Sequence, residues 1–304
     1  MFSLALPCAG TEVWLPGIVL VGLAVGVLSG LFGVGGGFLL TPVLKILLGV
    51  PYPVAVGSSL VQISLNSALS AYKHGRDRNV DLKLGILLAA GALLGADLGV
   101  RLHGMLKGGA ALSLHGRSIA PLDLVLNLLF LVLLTGVGVF ILLETGRTAH
   151  GQEVETVVSR QLRKLRLSPL GSFPRSGLAR YSLWIPLILA LVVGVLTGLM
   201  GVGGGFISFP LLLYVVGVPT RMAIGTSALQ ILLASGYGSI RHGLAGNLDL
   251  LLVALLVPGS FAGVFLGVRV SRLLGGRRIR RYFALVVFVG VAMVIWDLAR
   301  ELVL

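Results

Sequence analysis

The residues of this chain best placed to do chemistry are two glycine clusters, Gly33-Val34-Gly35-Gly36-Gly37 and Gly201-Val202-Gly203-Gly204-Gly205. Each interrupts an apolar stretch. Inside a bilayer an unpaired backbone amide costs several kcal/mol, so irregular backbone survives only where it lines a protein-enclosed or wet cavity. Each glycine also costs about 1 kcal/mol of helix propensity relative to alanine. The clusters therefore predict a break in mid-membrane, with a half-helix starting at about Gly36 and an equivalent one in the second cluster. The first amides of a half-helix lack intrahelical partners and carry the positive end of the helix dipole. Glycine lets a ligand come close to them, so two such tips entering from opposite faces make a cradle for a small anion. Close helix packing is the competing use of membrane glycines. It fits Gly91, Gly95 and Gly99, matched by Gly259, Gly263 and Gly267, which recur every four residues. It does not call for adjacent glycines. Nucleotide chemistry is excluded at both tips. Phe38 and Phe206 stand where a P-loop needs Lys-Ser/Thr and where a dinucleotide fingerprint needs Gly or Ala.

A second polar element follows each tip: Gly57-Ser58-Ser59-Leu60-Val61-Gln62 and Gly225-Thr226-Ser227-Ala228-Leu229-Gln230. Ser59 and Gln62 share a helix face, as do Ser227 and Gln230, and Asn66 lies one turn further on in the first half. Their hydroxyls and amides can donate to an oxyanion, or can hydrogen-bond neighbouring helices and hold the bundle together. Ionisable groups within spans are candidates for coupling or gating. These are Asp97 with Arg101 one turn later, and His74 and His242 at helix ends. The plain readings are a surface ion pair and exposed loop histidines. Lys45 and Arg221 are placed to guide anions at the outer and inner mouths. The sequence shows no metal-ligand spacing and no Ser-His-Asp arrangement, so no enzyme, metal or cofactor is expected.

These residues are positioned by a duplicated scaffold. Residues 30–102 align without a gap on 198–270, with 34 identities in 73 positions, including Pro42/Pro210, His74/His242, Asn79/Asn247, Asp81/Asp249 and Arg101/Arg269. Two homologous halves with glycine-broken helices mark a secondary transporter. The chain is 56% hydrophobic and 12% charged, against about 25% charged in soluble domains. An all-α integral membrane protein follows, with a tail at 1–13, a first repeat at 14–144, a basic linker at 145–181 and a second repeat at 182–304. Each half is a broken helical pair followed by three spanning helices.

The net charge of +13 sits in loops, which speaks for membrane anchoring and against nucleic acid. Lys73, Arg76, Arg78 and Lys83 load one loop, and Arg272, Arg277, Arg278, Arg280 and Arg281 another. Placing both, with the linker, in the cytoplasm satisfies the positive-inside rule. Equivalent loops then face opposite sides. An inverted repeat follows, with both termini outside the cytoplasm. One cysteine, Cys8, allows no intrachain disulfide.

The doubled Gly-Val-Gly-Gly-Gly-Phe…Pro, followed by Gly-Val-Pro and Ala-Val/Ile-Gly-Ser/Thr-Ser, resembles the TauE/SafE family of sulfite exporters, the TSUP permeases. The resemblance covers about 15–144 and 182–303. It implies an inner-membrane permease moving sulfite, thiosulfate, sulfoacetate or related sulfur oxyanions and organosulfonates outward. Its motif residues fall on Gly33, Gly35, Gly36, Gly37, Pro42, Ser58 and Ser59, and on Gly201, Gly203, Gly204, Gly205, Pro210, Thr226 and Ser227. The expected partners are a small anion, membrane lipid and, as coupling ion, protons. Neutral donors at the site suit an anion whose own protonation changes near neutral pH.

Overall fold

The computed structural model describes residues 3–303 except 9, 11, 33–36, 111, 115–116, 148–155, 166 and 275. Three of the sequence's candidates, Gly33, Gly35 and Gly36, lie outside the described residues. The first half comprises α1 (Leu15–Phe32), α2 (Gly37–Ile46), α3 (Tyr52–Arg76), α4 (Leu82–Lys107) and α5 (Pro121–Arg147). A short α6 (Val157–Lys164) follows. The second half comprises α7 (Trp184–Met200), α8 (Gly205–Pro210), α9 (Thr220–Leu244), α10 (Leu250–Leu273) and α11 (Gly276–Val303). Among the described residues three two-stranded hairpins accompany them: β1–β2 (Ser3–Ala5, Glu12–Trp14) before α1, β3–β4 (Leu112–Leu114, Arg117–Ile119) and β5–β6 (Leu170–Phe173, Leu178–Ser182).

Among the described residues six helical segments are long and apolar enough to cross a membrane: 15–32, 52–76, 82–107, 121–143, 250–273 and 278–300. Side chains such as Leu94, Leu98, Val132 and Trp296 stay exposed on their outer faces. That pattern belongs to helices solvated by lipid rather than water.

The halves exchange partners. α1 packs along α10, and α4 along α7. Both contacts are glycine interlocks. A Cβ on Gly22, Gly26 or Gly30 would sit 2.1–2.4 Å from the carbonyl oxygens of Leu256, Ser260 and Val264. In return Gly259, Gly263 and Gly267 meet the carbonyls of Val19, Leu23 and Val27. On the other side Gly91, Gly95 and Gly99 meet those of Leu187, Leu191 and Val195. The small-residue stripes thus let backbones touch. The residue numbers rise together, so both pairs run parallel.

The equivalent helices α3 and α9 run antiparallel. Gly57 meets Asn247, Leu60 meets Gly238, and the Ser64 hydroxyl donates to the Leu232 carbonyl at 3.2 Å. α5 and α11 are antiparallel too, since Asn127 bonds Asp297 while Gly138 meets Val287.

Gly57 and Gly225 have a specific task. A Cβ there would lie 1.8 Å and 2.0 Å from the carbonyl oxygens of Asn247 and Asn79. Each glycine admits the loop that opens the other half's next helix. The neighbouring hydroxyls fasten it: Asp249 N–H donates to Ser58 Oγ at 3.0 Å, and Asp81 N–H to Thr226 Oγ1 at 3.1 Å. Asp81 and Asp249 then cap α4 and α10 by accepting from Leu84 and Leu252 N–H. Their second oxygens hold the hairpins, accepting from the Ser176 hydroxyl at 2.8 Å and from Cys8 N–H at 3.0 Å.

The stretch read from sequence as a linker is folded where it is described. Thr156 donates to the Tyr214 carbonyl at 2.5 Å, Arg163 to that of Gly217 at 3.0 Å, and Arg175 to that of Val80 at 3.2 Å.

Candidate substrate-binding site

The second glycine cluster is a turn. α7 ends at Met200, and Gly201, Gly203 and Gly204 take φ of +70°, +68° and +68°, the left-handed region that costs other residues about 1–2 kcal/mol. α8 starts at once, its Ile207 and Ser208 amides bonding the Gly204 carbonyl at 3.1 and 2.8 Å. Pro210 ends its α-helical part, and the chain continues as a π-helical stretch, Leu211–Val216. A proline removes an amide donor and crowds the carbonyl four residues back, which accounts for the change of winding. In the first half Pro42 sits inside α2, which remains α-helical to Ile46.

Gly37, which closes the first cluster, and Gly203 of the second meet near the middle of α3. Positions for a Cβ on Gly37 and on Gly203 both collide with the side chain of Ile63, at 2.1 and 2.5 Å. Gly37 also lies against the Val202 carbonyl. The Thr41 hydroxyl of α2 donates to the Gly201 carbonyl at 3.1 Å. Behind them the rings of Phe38 and Phe206, the residues that follow the glycines, stand 5.6 Å apart, and Phe283 of α11 packs on Phe38, Phe32 and Phe209. Around the second turn Ser235 Oγ lies 3.1 Å from the Cβ position of Gly203, and Thr197 Oγ1 lies 2.6 Å from that of Gly204. Ser235 is buried, and its oxygen has no hydrogen-bond partner.

The amide and hydroxyl candidates divide. Ser58 and Thr226 accept from the loop amides described above. Ser227 donates to the Ile224 carbonyl at 3.0 Å. Gln62 Nε2 donates to Asn66 Oδ1 at 3.1 Å and to Ser260 Oγ of α10. Gln62 Oε1, Asn66 Nδ2 and Ser59 Oγ stay buried and unpartnered, as does Ser29 Oγ on α1. Gln230 is elsewhere: it lines a small space of about 10 Å³ with Leu88, Ala190, Val193 and Ser208. That is room for about one water. The two glutamines thus lie in separate surroundings, Gln62 among α3, α10 and Asn66, and Gln230 among α4, α7 and α8. Buried polar atoms are normally paired, so this run of unpaired oxygens and amide hydrogens marks where water or a polar solute belongs.

His74 and His242 are buried rather than exposed. His242 Nε2 lies 2.8 Å from the Gly198 carbonyl oxygen, and its ring meets that of His103 edge-on at 4.8 Å. His103 Nδ1 lies 2.9 Å from the Leu199 carbonyl oxygen. His103 gave no signal in sequence because its repeat partner is Ser271, so it falls outside the paired columns. His74 lies beside the Gly30 carbonyl, and neither ring nitrogen completes a hydrogen bond. Asp97 is held by Arg101 at 2.8 Å, by Tyr237 at 3.0 Å and by Arg241. In the second half Phe265 replaces it, with Lys73 Nζ 3.3 Å from the ring centroid. Lys45 pairs with Asp123 at 2.9 Å. Among the described residues no three His, Cys, Asp or Glu side chains come together to hold a metal.

The family model for the sulfite exporter TauE/SafE matches residues 18–294, which takes in both glycine clusters and every helix that surrounds them. The chain belongs to the TauE/SafE family. Similar proteins include the probable membrane transporter protein YjnA of Bacillus subtilis (strain 168), 28% identical over 90% of this chain and 96% of its own length. A probable membrane transporter protein of Xylella fastidiosa (strain 9a5c) is 28% identical over 91% and 92%. The probable membrane transporter protein MJ0441 of Methanocaldococcus jannaschii is 27% identical over 75% and 72%. No solved structure matches the chain. It is a multi-pass membrane protein of a transporter family, and both glycine clusters lie within that family's matched region.

Proposed function

We propose that this protein is a secondary transporter that exports sulfite or a related sulfur oxyanion or organosulfonate across the inner membrane, without enzymatic chemistry of its own. The observation that carries the reading is the meeting of the two glycine segments at Ile63, with the left-handed Gly201–Gly204 turn beginning a half-helix there. Amides at a half-helix start offer hydrogen bonds and partial positive charge. An anion held there needs no fixed cation, and the unpartnered hydroxyl of Ser235 adds a donor. Asn66 Nδ2 and Ser59 Oγ supply a second set on the neighbouring wall.

In this proposal the halves are inverted relative to each other. The antiparallel run of α3 against α9, and of α5 against α11, supports that arrangement, as does the uneven charge of equivalent loops. Alternating access then follows from rocking of the halves about the α3–α9 seam. Ile63 packs against both Gly37 and Gly203, so the central site must widen to admit a sulfur oxyanion. Protons are the coupling ion in this reading, and both chain ends lie outside the cytoplasm.

The test is sulfite flux into proteoliposomes holding the purified protein, with and without an imposed pH gradient. Protein-dependent flux that responds to the gradient is the expected result. Absence of both flux and sulfite binding would return the glycine turns to helix packing.

A further inference from the structure

A cavity of about 340 Å³ opens where α3 ends, α9 begins and α10 ends. Its wall carries His74, Asp77, Asn79, Arg221, Ser271 and Arg272. The charges do not cancel. Arg272 makes a two-pronged pair with Asp77, at 3.0 and 3.1 Å, while Arg221 has no ion-pair partner among the described residues. His74 lines the cavity at only 4% exposure, and at least one of its ring nitrogens is free of the Gly30 carbonyl. A buried imidazole with an unused nitrogen, beside an unpaired guanidinium, is an incomplete hydrogen-bond set. A small oxyanion completes it: the guanidinium fork matches two of its oxygens, and the imidazole N–H donates to the third.

The repeat provides an internal comparison. The equivalents of His74, Asn79 and Ser271 are His242, Asn247 and His103. There the space is filled. The His103 ring packs on His242, and Lys107 Nζ reaches across to Asn247 Oδ1 at 2.6 Å. His242 Nε2 already meets the Gly198 carbonyl. Pro53 and Gly104 stand where Arg221 and Arg272 would be. The same fold therefore leaves an open basic cavity at one end and a plugged one at the other.

We propose that the His74 cavity is a binding site for a small oxyanion, with Arg221 as its principal charge and His74 as its buried donor. Its role as an entrance site rests on the transport reading; its binding of an oxyanion does not. The geometry suits free sulfite or sulfate, and the phosphate of an anionic lipid headgroup shares the chemistry. The proposal commits to the free ion, because its donor, His74, is buried.

The experiment is calorimetric titration of sulfate into the purified chain in an uncharged detergent, alongside sulfite flux measurements. Arg221→Gln changes an exposed residue, so it keeps the test valid should His74→Gln fail to fold. We expect sulfate affinity to fall at least tenfold in Arg221→Gln and in a folded His74→Gln, while Lys107→Gln binds as the parent does. Unchanged affinity in Arg221→Gln would overturn the site, even if flux is normal. Displacement of sulfate by short-chain phosphatidylglycerol, with no competition from sulfite, would overturn it in favour of a lipid headgroup. If the parent binds sulfate through Arg221 but shows no flux of sulfite, the transport reading fails and the site stands.

Discussion

The Thr41 hydroxyl donates to the Gly201 carbonyl at 3.1 Å, which ties the half-helix of one repeat to the glycine turn of the other across 160 residues of sequence. Both groups are buried, and the carbonyl belongs to the first left-handed residue of the turn. Replacing Thr41 by Val keeps the shape and strands that carbonyl, at a cost of about 1–3 kcal/mol. We expect a lower melting temperature and a loss of sulfite flux larger than the loss of folded protein. Equal flux per folded molecule would show that the tie serves stability alone.

The glycine interlocks predict a sharp contrast among glycines that look alike in sequence. A Cβ at Gly95 would lie 2.1 Å from the Leu191 carbonyl oxygen, and one at Gly263 2.2 Å from that of Leu23, so alanine must push two backbones apart. Overpacking of that kind costs about 1–3 kcal/mol per site. Gly136 in α5 has open space around its Cβ position. There alanine should stabilise by up to about 1 kcal/mol through helix propensity. Thermal unfolding in detergent of the three single variants checks the order.

An inverted arrangement predicts opposite exposure of two marked positions. Cys8 is exposed and its amide is bonded to Asp249 at the start of α10, whereas Arg76 is exposed at the far end of α3. A membrane-impermeant maleimide should label Cys8 in intact cells. In a Cys8→Ser background, Arg76→Cys should be labelled only after the membrane is opened. Labelling of both from outside would contradict the topology.

Asp97 carries three partners on the outer wall of the bundle, Arg101, Tyr237 and Arg241, and its place in the other repeat is taken by Phe265. That setting suits anchoring of α4 to α9 better than proton exchange during transport. Asp97→Asn should leave sulfite flux and its response to a pH gradient within about twofold of the parent. Loss of the gradient response with flux retained would make Asp97 the coupling residue.

The duplication, the second glycine break and the four-residue packing stripes were legible in the sequence, because each depends on spacing within one segment. What the sequence hid depends on partners far along the chain. Gly57 and Ser58 read as the opening of a polar helix face, yet their work is to receive Asn247 and Asp249 from the other half. Gln62 and Gln230 occupy matching columns, and matching columns in antiparallel helices lie on opposite sides of the seam between them. His103 carried no signal because its repeat partner is serine. The hairpin at 170–182 read as linker since its anchor, the Ser176 hydroxyl on Asp81, joins positions 95 residues apart.

The account rests on the Gly201–Gly204 turn as the place where the anion is held, and Gly204 tests it most directly. Its φ is +68°, and a side chain there would run into Val193 and Thr197. Saturable sulfite flux should be compared in proteoliposomes containing equal amounts of folded parent and Gly204→Val protein. The account predicts flux in the parent and a fall of at least tenfold in the variant, with sulfite binding at the centre lost as well. Undiminished flux and binding in Gly204→Val would contradict it.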